Sequence, residues 1–280
     1  MNPIVSILAQ GGMGAATAAR LSEHGLEVRT ITSGRSAASA ERAAKAGMRS
    51  VSEDEFVQAD FILSIVPPAE AIPLAKRLAP ALMRTNHKPI YVDLNAINPN
   101  TVMMVEMIVA PSHCHFVDGS IIGLPPRPDG YSPLYYVSGP EAEKVAVLRD
   151  FGLKISVLDG PVGAASALKM SYAGITKGLI GVATSMILAA HRAGVSDALY
   201  AELGFSQPNL LAGFRRSIPD MFGKAGRWVA EMEEIAGFAG GEGTDEGEVY
   251  AALARLYERI GKDFAGPNAE TEILRAFFPE

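Results

Sequence analysis

The first part of the chain, up to about residue 160, alternates short apolar runs rich in β-branched residues with alanine-rich helical stretches. Runs such as "FILSIV" (61–66) are apolar at consecutive positions, which is typical of central parallel strands covered by helices on both faces. Alternating strands and helices predict a parallel, doubly wound α/β sheet. The predicted strands are residues 4–9, 27–32, 60–66, 89–94, 114–119, 134–139 and 153–158.

The strand pattern ends after Gly163. A proline-free stretch of about thirty residues then runs to Gly194, which predicts one long helix with a glycine C-cap. Residues 217–238 carry apolar side chains at three- and four-residue steps, which predicts a single amphipathic helix, and residues 245–262 predict another. We expect an α/β domain over 1–162 and an all-helical domain over 163–280. The stepped apolar residues are Met221, Phe222, Ala225, Trp228, Met232 and Ile235.

Composition and charge exclude several classes of function. The 280 residues are 48% hydrophobic and 20% charged, as in soluble globular proteins. A formal charge of −6 without a Lys/Arg block argues against nucleic acid as a partner. The single cysteine, Cys114, forms no internal disulfide and fits a reducing compartment. In "HCH" (113–115) the two histidines share one strand face without a further ligand cluster, so we expect no metal site.

Neither apolar stretch of the sequence predicts a targeting or membrane segment. The uncharged N-terminal residues contain only a short apolar run at 4–9, too short for a signal peptide. The stretch 178–190 falls short of the roughly 20 apolar residues that a membrane span requires. We therefore expect a cytoplasmic protein with no membrane partner.

The stretch "ILAQGGMGAATAARL" (7–21) passes from a strand through glycines into a helix. The N-terminus of such a helix directs unpaired backbone N–H groups at one point, and the helix dipole favours a phosphate there. The Rossmann dinucleotide fingerprint G-x-G-x-x-G matches this stretch except for alanine at its first position. An ordinary glycine turn is the alternative, but the position at the first strand of a βαβ series favours a cofactor site. The predicted cofactor-binding residues are Ala9, Gln10, Gly11, Gly12, Met13 and Gly14.

The end of the second strand bears on the choice between NAD and NADP. NAD-binding domains usually carry an acidic residue there for the ribose hydroxyl, but residues 28–40 contain none. Arg35, with Ser33 and Ser36 nearby, is suited to bind a 2′-phosphate because a guanidinium matches phosphate geometry. The sequence favours NADP over NAD; the alternative is a solvated arginine in a polar loop.

Four further motifs carry a resemblance: "GRS" (34–36), "VDLNAINP" (92–99), "DGSIIGLPP" (118–126) and "ALKMSYAGITKG" (167–178). With the glycine motif, they make the chain similar to the β-hydroxyacid dehydrogenase and 6-phosphogluconate dehydrogenase superfamily, which is also related to imine reductases. Within it, the chain looks most like a branch of phosphogluconate-dehydrogenase-like oxidoreductases with their own type of C-terminal domain. The resemblance implies a Rossmann domain and an all-helical domain joined by a long helix.

The resemblance also assigns roles around the cofactor. "SIVPP" (64–68) matches a loop that covers the cofactor, so Val66 and Pro67 are expected near adenosine and ribose. Asn95 matches a small polar residue beside the nicotinamide. The family's substrate loop usually ends Ser-Gly-Gly, and the corresponding residues here are Ile122, Gly123 and Leu124, so only Gly123 is retained. The serine hydroxyl that binds a small carboxylate is missing, which argues against a short hydroxyacid substrate.

The long helix matches the family signature G-x-x-x-x-x-K through Gly163 and Lys169, and the resemblance makes Lys169 the general acid/base. Apolar neighbours and a nearby helix N-terminus disfavour an ammonium, so its pKa is expected to fall. Alanine replaces the family's substrate-orienting asparagine at position 173. Tyr172 and Thr176 lie on the lysine's helix face and are candidates to substitute for it.

Two further residues are predicted as substrate contacts. Lys177 lies about 80° around the helix from Lys169, and Trp228 belongs to an apolar stripe. For Trp228 the alternatives are a pocket wall or core packing. The glutamates Glu231, Glu233 and Glu234 are expected to form a solvated face.

Together these observations predict an NADP-dependent oxidoreductase that transfers hydride between nicotinamide and a hydroxyl or keto carbon of a small-molecule substrate, in a cleft between the domains. An imine reductase and a non-catalytic NADP-binding sensor or scaffold are the alternatives. The long helix and its apolar face predict a homodimer.

Overall fold

The structure is a computed structural model that describes residues 2–8 and 11–279. The chain divides into two compact units, residues 1–170 and 171–280. The first unit holds the sheet and the second is helical, so the predicted α/β domain followed by an all-helical domain is confirmed. A long helix continues from the first unit into the second.

One mixed sheet organises the first unit. All seven predicted strands are present, and an eighth short strand, with only its methionine buried, was not predicted. The strands are β1 Ile4–Leu8, β2 Glu27–Thr30, β3 Met48–Ser50, β4 Phe61–Ser64, β5 Ile90–Asp93, β6 His115–Ile122, β7 Leu134–Ser138 and β8 Lys154–Val157. Their order is β3-β2-β1-β4-β5-β6-β7-β8, whose first six strands have the doubly wound dinucleotide-binding arrangement.

Helices connect most of the strands in the first unit, and the described part of the second unit contains helices and no strand. The long helix predicted after Gly163 is confirmed as α7, and Ser52 caps α3 through a hydrogen bond from the Glu55 amide. The helices are α1 Gly12–Glu23, α2 Ala37–Lys45, α3 Glu53–Phe56, α4 Ala71–Arg84, α5 Pro99–Val109, α6 Ala142–Val145, α7 Ala164–Arg192, α8 Ser196–Ser206, α9 Pro208–Met221, α10 Ala225–Ala239, α11 Asp245–Phe264 and α12 Ala269–Ala276.

Two sequence expectations about these elements are wrong. The sheet is not wholly parallel, because β7 pairs antiparallel with β6. The proline-rich connection 123–133 contains no helix that could carry a parallel crossover, so the chain turns back as a hairpin. The single helix expected over 217–238 is divided into α9 and α10 by a 3₁₀ turn, Phe222–Lys224, which contains Gly223.

Burial on both sheet faces explains the continuous apolar runs. In β4, Leu63 packs on one face with Val5 and Ile7, while Ile62 packs on the other with Leu8. Each of these side chains is almost completely buried, and such burial stabilises the fold by roughly 1.5–3 kcal/mol per side chain. The buried sheet therefore gives a rigid platform for the loops at its carboxyl edge.

Candidate active site

The strand order of the sheet reverses between β1 and β4. From β1 the chain continues to β2 and β3 on one side, and then crosses to β4 on the other. Ligands of open α/β sheets bind outside the carboxyl ends of the strands at such a point. The turn into α1 follows β1, and the loop 65–67 follows β4.

The turn into α1, here called the glycine corner (residues 11–14), leaves open space at the N-terminus of the helix. Gly11 is the N-cap, with φ −75° and ψ 174°, and no described side chain caps this end. A Cβ at Gly11 or Gly12 would meet no described atom within 4 Å. Met13 is half-buried and Gly14 is buried. Among the described residues, the corner therefore has the room, and the first-turn N–H groups without a side-chain cap, that suit a diphosphate. Ala9 and Gln10 lie outside the described residues.

The predicted 2′-phosphate contacts follow β2, next to β1 in the sheet. Ser33, Arg35 and Ser36 are all exposed. The Ser36 hydroxyl caps α2 by accepting a hydrogen bond from the Ser39 amide at 3.3 Å. The Arg35 guanidinium makes no ion pair with any residue in 2–8 or 11–279, so it is available to a ligand.

Asn95 is buried and holds the loop after β4. Its side-chain oxygen accepts a hydrogen bond from the Val66 amide at 2.7 Å. Its side-chain nitrogen donates to Ser64 Oγ at 2.8 Å and to Asp93 Oδ2 at 3.0 Å. Pro67 is exposed and Val66 is half-buried. Asn95 thus fixes the loop expected to cover the cofactor, while its contact with nicotinamide stays a prediction.

A row of four buried polar residues crosses the sheet beside this loop. Ser64, Asp93, Asp118 and Ser138 are register partners across β4, β5, β6 and β7, and all are fully buried. We call them the polar row. Burial and, to a smaller extent, the negative charge of Asp118 raise the pKa of Asp93, while hydrogen bonds from Asn95 lower it; the result is a pKa of about 7. This row was not predicted from the sequence; its signal is the dipeptide Val-Asp, which occurs at the same position in β5 (92–93) and β6 (117–118).

Asp118 caps the long helix α7. Its Oδ2 accepts hydrogen bonds from the amides of Gly163 and Ser166, both at 3.0 Å, and its Oδ1 accepts one from Ser166 Oγ at 2.6 Å. The Ser138 hydroxyl donates to Asp118 at 3.0 Å and accepts from the Ala165 amide at 3.0 Å. Burial raises the pKa of the Asp118 carboxyl, and these donors oppose that effect. The carboxylate thus satisfies amides that a helix N-terminus leaves unpaired.

Lys169 lies at the carboxyl end of β6. Its half-buried Nζ donates a hydrogen bond to the Ile121 carbonyl oxygen at 2.9 Å. Two residues further, Gly123 has φ +133°, and a Cβ there would lie 2.6 Å from the Tyr131 hydroxyl. The conformation therefore requires glycine. The structure brings the lysine and this glycine to the same strand end.

The other candidate residues lie in the second unit. Tyr172 is exposed, and Thr176 Oγ1 donates to the Tyr172 carbonyl at 2.8 Å. Lys177 forms an ion pair with Glu231, and its Nζ lies 5.0 Å from the centre of the Trp228 ring. The expectation of a solvated face is wrong for Glu231, because this pair leaves its side chain only 18% exposed. Lys177 and Trp228 are thus brought together.

Comparisons with known proteins agree with this arrangement. Residues 4–96 match the family "NADP oxidoreductase coenzyme F420-dependent", and residues 190–260 match "Domain of unknown function (DUF1932)". The structure is similar to that of the conserved protein MTH1747 of unknown function, for which similarity with 3-hydroxyacid dehydrogenases is described. The identity is 29%, the TM-score is 0.72, and 93% of this chain and 97% of that chain are covered. These matches make the chain similar to the hydroxyacid dehydrogenase-like superfamily.

Other members of this fold are more distant. The Mycobacterium tuberculosis 3-hydroxyisobutyrate dehydrogenase with L-serine has 17% identity and a TM-score of 0.69, over 98% of this chain and 100% of that one. A Myxococcus stipitatus imine reductase in complex with NADP⁺ has 17% identity and a TM-score of 0.54, over 99% and 100%. The fold is therefore that of NAD(P)-dependent oxidoreductases.

One curated relative also matches in sequence. An uncharacterised 28.5 kDa protein of Methanothermus fervidus is 31% identical over 176 residues, which cover 62% of this chain and 66% of the relative. The matched segment therefore spans just under two thirds of that relative's length.

Proposed function

We propose that this chain is an NADP-dependent oxidoreductase that transfers hydride between the nicotinamide and a hydroxyl or keto carbon of a small organic substrate, with Lys169 as general acid/base. The observation that carries the proposal is the hydrogen bond from Lys169 Nζ to the Ile121 carbonyl. It holds an amine at the carboxyl end of β6, which runs parallel to β5 and so opens on the same sheet edge as the glycine corner.

The residues present fit a nicotinamide dinucleotide. The glycine corner leaves the space that a Cβ would fill, and the exposed Arg35 is suited to hold a 2′-phosphate. Ser33 and Ser36 flank the arginine, and the loop with Val66 and Pro67 is held by Asn95. When bound, the nicotinamide ring supplies or accepts the hydride. Ala9 and Gln10 complete the proposed set.

Lys169 handles the proton in this proposal. Its ammonium donates a proton to the substrate oxygen during reduction, and the neutral amine accepts one during oxidation. The Ile121 carbonyl orients the amine without neutralising it, because a backbone oxygen is an uncharged acceptor. Gly123, Lys177 and Trp228 are the proposed substrate contacts, and Tyr172 and Thr176 are proposed as the polar groups near the lysine.

The test is NADPH oxidation with a panel of keto acids, semialdehydes and cyclic imines. Lys169→Ala is expected to lower turnover by about 10²-fold or more, which is the usual contribution of a positioned acid/base. The exposed Lys154 on β8 gives the control, because Lys154→Ala removes the same group elsewhere. Unchanged turnover in Lys169→Ala would contradict the lysine's role. NADPH binding without turnover on the whole panel would favour the sensor or scaffold.

An imine reductase is the second candidate, and two side chains favour it. Ala173, which replaces the family's asparagine, is only 2% exposed and offers no polar group. Ile122, at the serine place of the substrate loop, is half-buried and has no hydroxyl group. Both changes remove groups that would hold the carboxylate of a hydroxyacid. Reduction of cyclic imines, without activity on keto acids, would decide for this candidate.

An apolar stripe on α7 supports a homodimer. Five side chains at steps of three and four residues, the spacing of a helix–helix seam, are each at least half exposed. The stripe consists of Tyr172, Ile175, Leu179, Val182 and Met186. By length and hydropathy α7 also qualifies as a membrane span, with 44% of its most apolar window buried in the protein. We propose that a second copy covers the stripe, in a cytoplasmic protein with no membrane or nucleic-acid partner.

A further inference from the structure

Asp118 and Lys169 each connect α7 to β6. At the start of the helix, Asp118 accepts hydrogen bonds from Gly163 and Ser166. One turn later, Lys169 reaches the Ile121 carbonyl at 2.9 Å. From Asp118 to Ile121 the strand rises about 10 Å, whereas from Ser166 to Lys169 the helix rises only about 4.5 Å. The lysine side chain bridges the remaining distance to the carbonyl oxygen.

This geometry makes the lysine's position sensitive to the position of the helix. A slide of α7 by one residue would move it about 1.5 Å along the strand, enough to break a 2.9 Å hydrogen bond. Two serine hydroxyls share in holding the helix, Ser138 on the Ala165 amide and Ser120 on the Ala165 carbonyl at 2.9 Å. Asp118 differs from them because its carboxyl group accepts four hydrogen bonds, two of them from backbone amides at the start of the helix.

We propose that Asp118 is a positioning residue for Lys169: by holding the first turn of α7 against β6, it sets where the amine lies at the end of the strand. This inference rests on the proposed function, in which that amine moves the proton. Asp118 itself touches neither cofactor nor substrate in the proposal. It acts through the helix, and its loss should release the lysine.

The neighbouring Asp93 provides a matched control. It is Asp118's register partner and is equally buried, but its carboxylate serves Asn95 and, through Asn95, the Val66 amide. Asp93→Asn should therefore disturb the loop after β4 and leave α7 in place. The two variants make the same chemical change in the same row of the sheet and should have different effects.

The first readout needs neither cofactor nor turnover. Reductive methylation of the full-length protein, followed by mass spectrometry, measures the reactivity of the Lys169 amine against the exposed Lys154 as internal reference. Asp118→Asn is expected to raise Lys169 labelling at least fivefold, and Asp93→Asn to leave it within twofold of wild type. Ser166→Ala removes only the 2.6 Å contact from the Ser166 hydroxyl and keeps both amide contacts to Asp118. Lys169 labelling should therefore rise less in this variant than in Asp118→Asn.

The second readout is kinetic. Asp118→Asn is expected to lower kcat at least tenfold with the NADPH Kd within twofold of wild type, whereas Asp93→Asn should chiefly raise that Kd. Wild-type labelling of Lys169 in folded Asp118→Asn, or in Ser166→Ala if Asp118→Asn fails to fold, overturns the inference. If labelling changes as expected but wild type neither binds NADPH nor turns over any substrate, the positioning stands and the proposed function fails.

Discussion

Arg35 gives a quantitative test of cofactor preference. Its side chain is exposed and forms no ion pair with the described residues, so Arg35→Ala should change the free energy of unfolding by less than about 0.5 kcal/mol. A charge-assisted hydrogen bond to a phosphate contributes about 1.5–3 kcal/mol, and each 1.4 kcal/mol is a factor of ten in Kd. The NADPH Kd should therefore rise about 10- to 150-fold, with the NADH Kd within about twofold of wild type.

The assay is calorimetric titration of wild type and variant with each coenzyme at low and moderate salt. The NADPH preference of wild type should weaken as salt rises, because the contact is exposed and ionic. Arg42→Ala is the control, because Arg42 is an exposed arginine on the following helix α2. Equal weakening of NADPH and NADH binding by Arg35→Ala, or no weakening of NADPH binding, would refute the assignment.

Three further predictions concern stability and assembly. Because the pKa of Asp93 is raised, the folded state keeps a proton on this carboxyl group at pH values where the unfolded state has released it. The free energy of unfolding of wild type, relative to that of Asp93→Asn, should therefore fall by up to about 4 kcal/mol as pH rises from about 4 to about 7. Urea unfolding of both proteins at pH 4 and pH 8 measures this change, and a stability difference that does not vary with pH would contradict it. Gly123→Ala should lower the stability of the protein by about 1–3 kcal/mol, because φ is +133° and the new Cβ would clash with the Tyr131 hydroxyl. Thermal unfolding measures this loss, and a Tm equal to that of wild type would contradict it. Light scattering should find a dimer for wild type and a monomer for Leu179→Glu/Val182→Glu, and a monomeric wild type would remove the proposed interface.

Local patterns in the sequence predicted most of the fold. The central strands are buried on both faces, so runs such as "FILSIV" reveal them directly, and the glycine C-cap at 194 marks the end of the long helix. The reversal at β7 was missed because alternating strands and helices say nothing about the direction in which a proline-rich connection returns. The short edge strand β3 was missed because it buries only Met48.

The candidate site was predictable where its chemistry lies in consecutive residues. The glycine corner depends on one strand, one turn and one helix, and the polar loop with Arg35 could likewise be read along the chain. The polar row could not be predicted, because the adjacency of Asp93 and Asp118 depends on the register of β5 against β6. The pairing of Lys177 with Glu231, 54 residues away, depends in the same way on tertiary packing.

The central claim is that the glycine corner holds the diphosphate of a nicotinamide dinucleotide. Gly11 has an ordinary φ of −75°, and a Cβ there would meet no described atom within 4 Å, so Gly11→Ala should fold like wild type. The added methyl group would occupy the space proposed for the diphosphate. The most direct measurement is a calorimetric titration of wild type and Gly11→Ala with NADPH. We predict that wild type binds NADPH saturably and that the variant has a Kd at least about tenfold higher, which corresponds to the loss of one charge-assisted hydrogen bond. No binding of NADPH by wild type, or equal affinity in both proteins, would contradict the account.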